Sequence, residues 1–571
     1  MVFAGDQNPM QFRFIQINIG SFSFMRESRI ISPATCAICG SCAILTFLSV
    51  FPFVHARESN LSRKQGRVYY IRPGGNDGKS GLGLDQAWRT IPKVNTMSFK
   101  PGDRILFEGG FTYAGTLSFE SDDSGTAENR LVVSTFGGKA AVIDGGLRGA
   151  FAADACDYLT IRKLVFRGAG RKDRNASDGI FITRSRFVEI DSVEIFGFQH
   201  SGLLLHICDD ARITHVYAHD NGFAGIHATG TTVWETARYD NHRLAIAYCV
   251  AENNPGDPSV TDNHSGSGII ASSVDGGIIE YCEAFGNGWD MPWNGNGPVG
   301  IWIWDSNDFI IQHCVSHDNK SAPDAADGGG FDFDGGVSNS ILQYCLSYSN
   351  QGPGVGLFEF GAAKPWQNNV VRYNISQDDG KNGQGSVAIW KGEAGGTIRN
   401  CEIYNNTFCN SNPEGPSLCI QNNWEGFNFM NNIFVYNGTF LMRGKKLKNE
   451  RFENNCYWNL AGRADFMDCP SLEAWAEKTG NEMVQGRFTG IYANPRLIHM
   501  GKAELSPPLL LNGNSLDPYR PERDSPLVDA GMDLEKLYGL NPGDSDMAGN
   551  QIPQGKTFDI GAVERAESAD P

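Results

Sequence analysis

The chain has 571 residues, among them 68 glycines, 11 tryptophans and 35 phenylalanines, and a formal charge of −17. So acidic a surface disfavours nucleic acid and anionic membranes as partners, and disfavours a polyanionic glycan unless calcium or a local basic patch bridges the charges. Abundant glycine, asparagine and serine without a sustained helical period exclude a helical bundle and point to many short strands joined by tight turns.

At the N-terminus, Met25-Arg26-Glu27-Ser28-Arg29 is a basic start, Ala34 to Val54 an apolar run, and Val54-His55-Ala56 a small-residue cleavage site. Residues 1–56 therefore read as an upstream extension plus signal peptide, which predicts a secreted or periplasmic protein with no membrane partner after cleavage. The competing reading is a membrane anchor, since the run is about long enough to span. Residues 57–102 are expected to lead into the fold and cap it. A short amphipathic helix over Trp88 to Met97 would cover the first coil, because bare strand edges invite association.

From about Asp103 to Asn459 the chain repeats itself. The phrases AYCVAENN, EYCEAFGN, QHCVSHDN, QYCLSYSN and RNCEIYNN place Cys249, Cys282, Cys314, Cys345 and Cys401 in equivalent positions. His215 precedes this series, Asn374 falls within it and Asn432 follows. A second series reads Asp220, Asn254, Asn287, Asn319, Asn350, Asp379, Asn406 and Asn437. A period of about thirty residues built from short strands is one coil of a parallel β-solenoid. Stacked coils put each series in a column, where Asn and Asp can bond along the stack. Cysteines at this spacing form an inward ladder and not a metal site, which would cluster them in pairs. Their number after signal removal is odd, so some thiol is free; Cys409–Cys419 and Cys456–Cys469 are candidate disulfides. Residues 460–571 read as a C-terminal cap containing a short helix that starts after Ser471.

The opening phrases Val68-Tyr69-Tyr70-Ile71-Arg72-Pro73-Gly74-Gly75, Trp88-Arg89-Thr90-Ile91 and Pro101-Gly102-Asp103-Arg104-Ile105 resemble those of secreted β-helix proteins of the pectate-lyase-like superfamily. The closing phrases Ser525-Pro526-Leu527-Val528-Asp529-Ala530-Gly531 and Asp559-Ile560-Gly561-Ala562-Val563-Glu564 do the same. The resemblance spans about 68–564 and implies an all-β fold: a single right-handed parallel β-helix with short capping helices. It implies no one reaction, because that superfamily hosts lyases, hydrolases, epimerases and non-catalytic proteins.

The strands that follow the Asn column are GIHAT, GIIAS, GIWIW, GFDFD, GLFEF, SVAIW and SLCIQ. Alternation sends Ile301, Ile303, Phe331, Phe333, Val387 and Ile389 inward. The same alternation sends His227, Trp302, Trp304, Asp332, Asp334, Phe358, Phe360 and Trp390 outward. Large rings around two carboxylates suit a sugar-binding groove, since rings stack on pyranose faces while acids bond hydroxyls. Lys391 and Trp293 are expected at its edges. Long loops over 253–266, 288–297 and 320–328 bring Asp257, His264, Trp289, Trp293, Asp324 and Asp327 to one rim, either as part of a site or as flaps over the rings.

Residues i and i+2 of a strand place their Cα atoms roughly 6.6 Å apart, so Asp332 and Asp334 stand near the lower end of an inverting carboxylate pair. Close like charges also raise one pKa, as a general acid requires. The expected function is a secreted carbohydrate-active enzyme that binds a polysaccharide or oligosaccharide and hydrolyses it with this pair, acting as a monomer and requiring no cofactor. The pattern of FDFD followed one coil later by Glu359 resembles β-xylosidases built on this fold, which implies a catalytic role for Glu359. Alternation nevertheless turns Glu359 inward, so it needs a bulge to reach the groove. Calcium is the alternative use of the acids, with Asp324 and Asp327 as its ligands. Two other functions stay open: a calcium-dependent lyase or epimerase on a uronate polymer, with Lys391 or Lys320 as base, and a non-catalytic glycan-binding β-helix.

Overall fold

The structure, a computed structural model, describes residues 66–565 apart from 232–235, 362–363, 393–395, 414, 422–424, 444–449, 464–465 and 501–512. The expected export signal, 1–56, lies outside the described residues. Among those residues no helix is long and apolar enough to cross a membrane.

Alternating apolar residues bounded by Gly and Asn give short strands, and every coil stacks its strands in parallel on those of the next. Twelve of them, from Leu117–Phe119 to Leu441–Arg443, form one sheet along the axis, and a larger parallel sheet wraps the remaining faces of the coils. Inward side chains of both sheets merge into one core, in which Ile301, Ile303, Phe331, Phe333, Val387 and Ile389 are all buried. The chain is thus a parallel β-helix, as expected from its repeat.

The first rung forms before Asp103: strand Val68–Ile71 already pairs with Arg104–Glu108. The expected helix over Trp88 to Met97 shrinks to Ile91–Val94, capped by the Thr90 hydroxyl, which accepts the Lys93 N–H. Trp88 cannot join it, because its backbone bridges to Ile71 and its ring stacks on Tyr69 at 4.9 Å. The C-terminal helix, Leu472–Thr479, starts at Ser471 as expected and ends at Gly480 in the left-handed region.

Both columns exist, with corrections. Cys249, Cys282, Cys314 and Cys345 do stack, but the column then continues as Asn374, Asn406, Asn432 and Asn455. Cys401 pairs instead with Asn369 and Phe427, and Val216, not His215, meets Cys249. The other column runs Asn221, Asn254, Asn287, Asn319, Asn350, Asp379; in each step one Oδ1 accepts both the backbone N–H and the side-chain amide of the preceding coil. Each ladder ends on an acid, Asp379 or Glu482, which accepts these donors without presenting another N–H. The disulfide expectation is overturned: all eleven described cysteines, Cys409, Cys419, Cys456 and Cys469 included, are buried free thiols.

Candidate active site

Strands Val299–Trp304, Gly329–Phe333, Val355–Glu359 and Val387–Lys391 lie side by side in the twelve-stranded sheet. Their register sets Trp302 beside Asp332, Asp332 beside Gly356, and Gly356 beside Ala388. The GLFEF strand is therefore shifted by two residues from its expected alignment, since Phe331 pairs with Val355 and not with Leu357. The shift puts a glycine next to Asp332. A Cβ at Gly356 would lie 2.9 Å from Asp332 Oδ1 and 2.8 Å from the Phe358 ring, so the carboxyl leans into a notch that a side chain would close.

Asp332 is 3% exposed, and its Oδ1 has no hydrogen-bond partner. A buried carboxyl with no donor is costly when ionised. Burial, then Asp334 and Asp327, hold it well above the usual carboxylate range. Asp334 stands on the same face, keeps some solvent contact, and accepts the Gly335 N–H at 2.8 Å. Burial first, then Asp327 and Glu359, also push it well up. Of the two, Asp334 has the donor and the solvent contact that favour its ionised form.

The rings are outward in direction but do not form an open platform. Trp302, Trp304 and Phe358 are buried, while His227, Phe360, Trp390, Trp293 and Lys391 are half-buried. The loop over 253–266 covers Trp302, where His264 meets the ring edge-on at 5.0 Å, and Trp302 donates its indole N–H to Ser267 Oγ at 3.1 Å. Phe223, which the sequence reading did not single out, stacks on His227 at 5.3 Å and packs in the same cluster. Burial lowers His227 to about 3 and His264 to about 4, so both rings are neutral. The Nδ1 of His264 has no partner. Phe360 lies across Gly335 and meets Trp304 at 6.1 Å, Trp390 meets Phe358 at 6.4 Å, and Lys391 donates to Gly392 O at 3.2 Å. Trp293 leaves the face altogether, packing on Met291, Ala322 and Ala325 in the rim loops.

Glu359 is fully buried, and its carboxylate accepts the N–H groups of Gly336 and Gly361. It therefore stands at the strand end as an internal cap, without the bulge that would turn it into the groove. Asp324 is exposed, whereas Asp327 accepts the Gly297 N–H at 2.9 Å and is pushed up by burial to about 6. Among the described residues no group of three His, Cys, Asp or Glu side chains is arranged to hold a metal ion.

Residues 239–409 match the family model of the right handed beta helix region. No curated protein matches the sequence. Solved structures with a similar fold include a GH136 lacto-N-biosidase from Eubacterium ramulus, 15% identical over 68% of each chain, with a TM-score of 0.42. The A-module of the mannuronan C-5 epimerase AlgE6 from Azotobacter vinelandii is 16% identical, with a TM-score of 0.45, over 62% of this chain and 90% of that one. Pectate lyase Pel9A is 14% identical, with a TM-score of 0.38, over 88% and 97%. At these identities and TM-scores, and with activities that differ among them, they assign no activity to this chain. Topology and the matched region agree with the opening and closing phrases that the chain is a right-handed parallel β-helix.

Proposed function

We propose that the protein is a carbohydrate-active enzyme that binds a glycan against the sheet face around Asp332 and cleaves it by glycoside hydrolysis. One observation carries this reading: a buried carboxyl without a donor, set in a notch beside a second carboxyl that touches solvent. Nothing in the packing of the core needs such a group, and keeping it costs stability.

Held neutral, Asp332 gives its proton to the glycosidic oxygen as the bond to the anomeric carbon breaks. Asp334, ionised, takes a proton from the water that attacks that carbon from the opposite side. Direct attack by this water inverts the anomeric carbon. His264 and Trp302 would border the bound sugar, with the neutral imidazole offering a hydrogen bond and the rings an apolar wall. The reaction requires no metal in this reading.

The test incubates a panel of plant, algal and bacterial glycans with the protein, with and without EDTA, reading reducing ends together with ultraviolet absorbance of unsaturated sugars. Reducing ends without absorbance, insensitive to EDTA and lost in Asp332→Asn and Asp334→Asn, is the expected result. Calcium-dependent absorbance would replace hydrolysis by elimination, and a uronate polymer altered without either signal would indicate epimerisation. Binding without turnover across the panel would leave a non-catalytic glycan-binding protein.

A further inference from the structure

A cavity of about 350 Å³ opens on the rim from which the strands of the twelve-stranded sheet start, and Gly168, Gly170, Arg171, Phe196, Asp220 and Pro255 line it. Glycines let its wall pack closely: a Cβ at Gly168 would lie 2.2 Å from Gly197 O, and one at Gly170 would lie 2.4 Å from Asp173. Beside it stands Trp289, half exposed at 50%. This ring is held rather than loose. Its N–H donates to Asn253 Oδ1 at 2.8 Å, and Asn253 in turn donates to Asp220 in the cavity wall at 2.6 Å. The Arg171 guanidinium lies 6.0 Å over the ring, is paired with Asp290, and donates to Gly256 O at 2.8 Å.

We infer that Trp289 and this cavity form a second carbohydrate subsite, which takes a neutral oligosaccharide segment extending from the site at Asp332 toward the N-terminal end of the helix. The inference rests on the glycan reading above and adds where and how a longer chain is held. An oriented indole with its N–H already satisfied presents only its apolar face, which suits the C–H face of a pyranose. The Asp220 carboxylate can accept sugar hydroxyls at the cavity wall. Charges there are matched within the protein. Asp290 pairs with Arg171 and Lys172, and His219 lies 2.7 Å from Asp220. With Asp220 and Asp290 set against Arg171 and Lys172, these groups carry no net positive charge to draw a uronate. The geometry along the axis fits an extended ligand. Trp289 follows Asn287, one rung before Asn319, whose coil leads into Asp332. Asp220 precedes Asn221, three rungs before Asn319, or about 14 Å at ~4.8 Å per rung.

The test is affinity electrophoresis through gels containing arabinoxylan, galactomannan, xyloglucan, arabinan, polygalacturonate or alginate. Wild type is expected to be retarded by a neutral polysaccharide, and Trp289→Ala to lose at least about fivefold in apparent affinity with an unchanged melting midpoint. Asp220→Asn, conservative at an exposed left-handed position, should weaken retardation in the same gel and serves if Trp289→Ala does not fold. Asp332→Asn should keep its retardation. Retardation unaffected by both rim variants, confined to the two uronate polymers, or absent from every gel overturns the inference. Loss of cleavage in Asp332→Asn with intact retardation in Trp289→Ala would uphold the hydrolytic site while removing the second subsite. The reverse pattern, rim-dependent retardation without cleavage of any glycan, would uphold this subsite and remove hydrolysis.

Discussion

Gly356→Ala tests the notch without replacing either carboxyl. The added methyl would sit 2.8 Å from Phe358, 2.9 Å from Asp332 Oδ1 and 3.0 Å from its Cγ, all well inside normal contact. Phe358 cannot retreat, because Ala388, Cys419 and Trp390 pack behind it. No hydrogen bond to Oδ1 holds Asp332 in place, so the carboxyl is what moves. Overpacking of this kind costs about 1–3 kcal/mol, a small fall in melting midpoint for a fold of this size. Displacing a proton donor by about an ångström costs on the order of 10²-fold in rate, or about 2.7 kcal/mol of barrier. Rates on the cleaved glycan and melting curves are measured together. Gly277→Ala is the control, since its methyl would strike the Phe309 ring at 2.2 Å within the other sheet. The expected result is a rate loss in Gly356→Ala alone at comparable destabilisation. A folded Gly356→Ala with full activity, or equal losses in both variants, would refute the placement of Asp332 in the reaction.

Other consequences follow from the same geometry. Because the folded pKa of Asp332 is raised, the folded state holds a proton that the unfolded chain releases above about pH 4. Stability from this group is therefore lost as pH rises, and the melting midpoint of Asp332→Asn should gain on wild type between pH 5 and pH 8; a shrinking difference would contradict the buried, donor-free carboxyl. His264 works in the opposite sense. Its folded value of about 4 lies below the unfolded value, so its contribution is present at neutral pH and fades as pH falls from about 6.5. His264→Phe should flatten the acid limb of the melting profile, and an unaltered limb would show that the ring is not buried neutral. In the ladder, Asn319 accepts two donors from Asn287 and donates to Ala284 O and Asn350 Oδ1. Asn319→Ala orphans these groups at about 1–3 kcal/mol each, so urea unfolding should show a loss of at least about 2 kcal/mol.

Much of the fold was legible because a solenoid repeats its own constraints. Cys249, Cys282, Cys314 and Cys345 are small and apolar at one inward position, and Asn254, Asn287, Asn319 and Asn350 recur where a side chain must bond the next coil. Both signals survive without any knowledge of tertiary contacts. The Cys401 error arose where the inward ladder changes from thiol to amide at Asn374, so that matching cysteine to cysteine selected the wrong position. Strand parity turns Asp332 outward between the inward Phe331 and Phe333. What parity cannot supply is register between coils of unequal loop length, and the two-residue shift at Val355–Glu359 hid the Gly356 notch. Nor does outward direction mean exposure. Trp302 points out of the coil but is covered by His264 from a loop on a neighbouring coil, a contact that no spacing rule encodes.

Proton donation by Asp332 is tested most directly by comparing leaving groups. With the sugar identified by the glycan panel, rates of Asp332→Asn are measured on the natural glycan and on the dinitrophenyl glycoside of the same sugar, whose leaving group needs no proton. The expected result is a loss of about 10²–10⁴-fold on the glycan with the dinitrophenyl glycoside largely spared. Equal losses on both substrates, or undiminished cleavage of the natural glycan, would contradict the role assigned to Asp332.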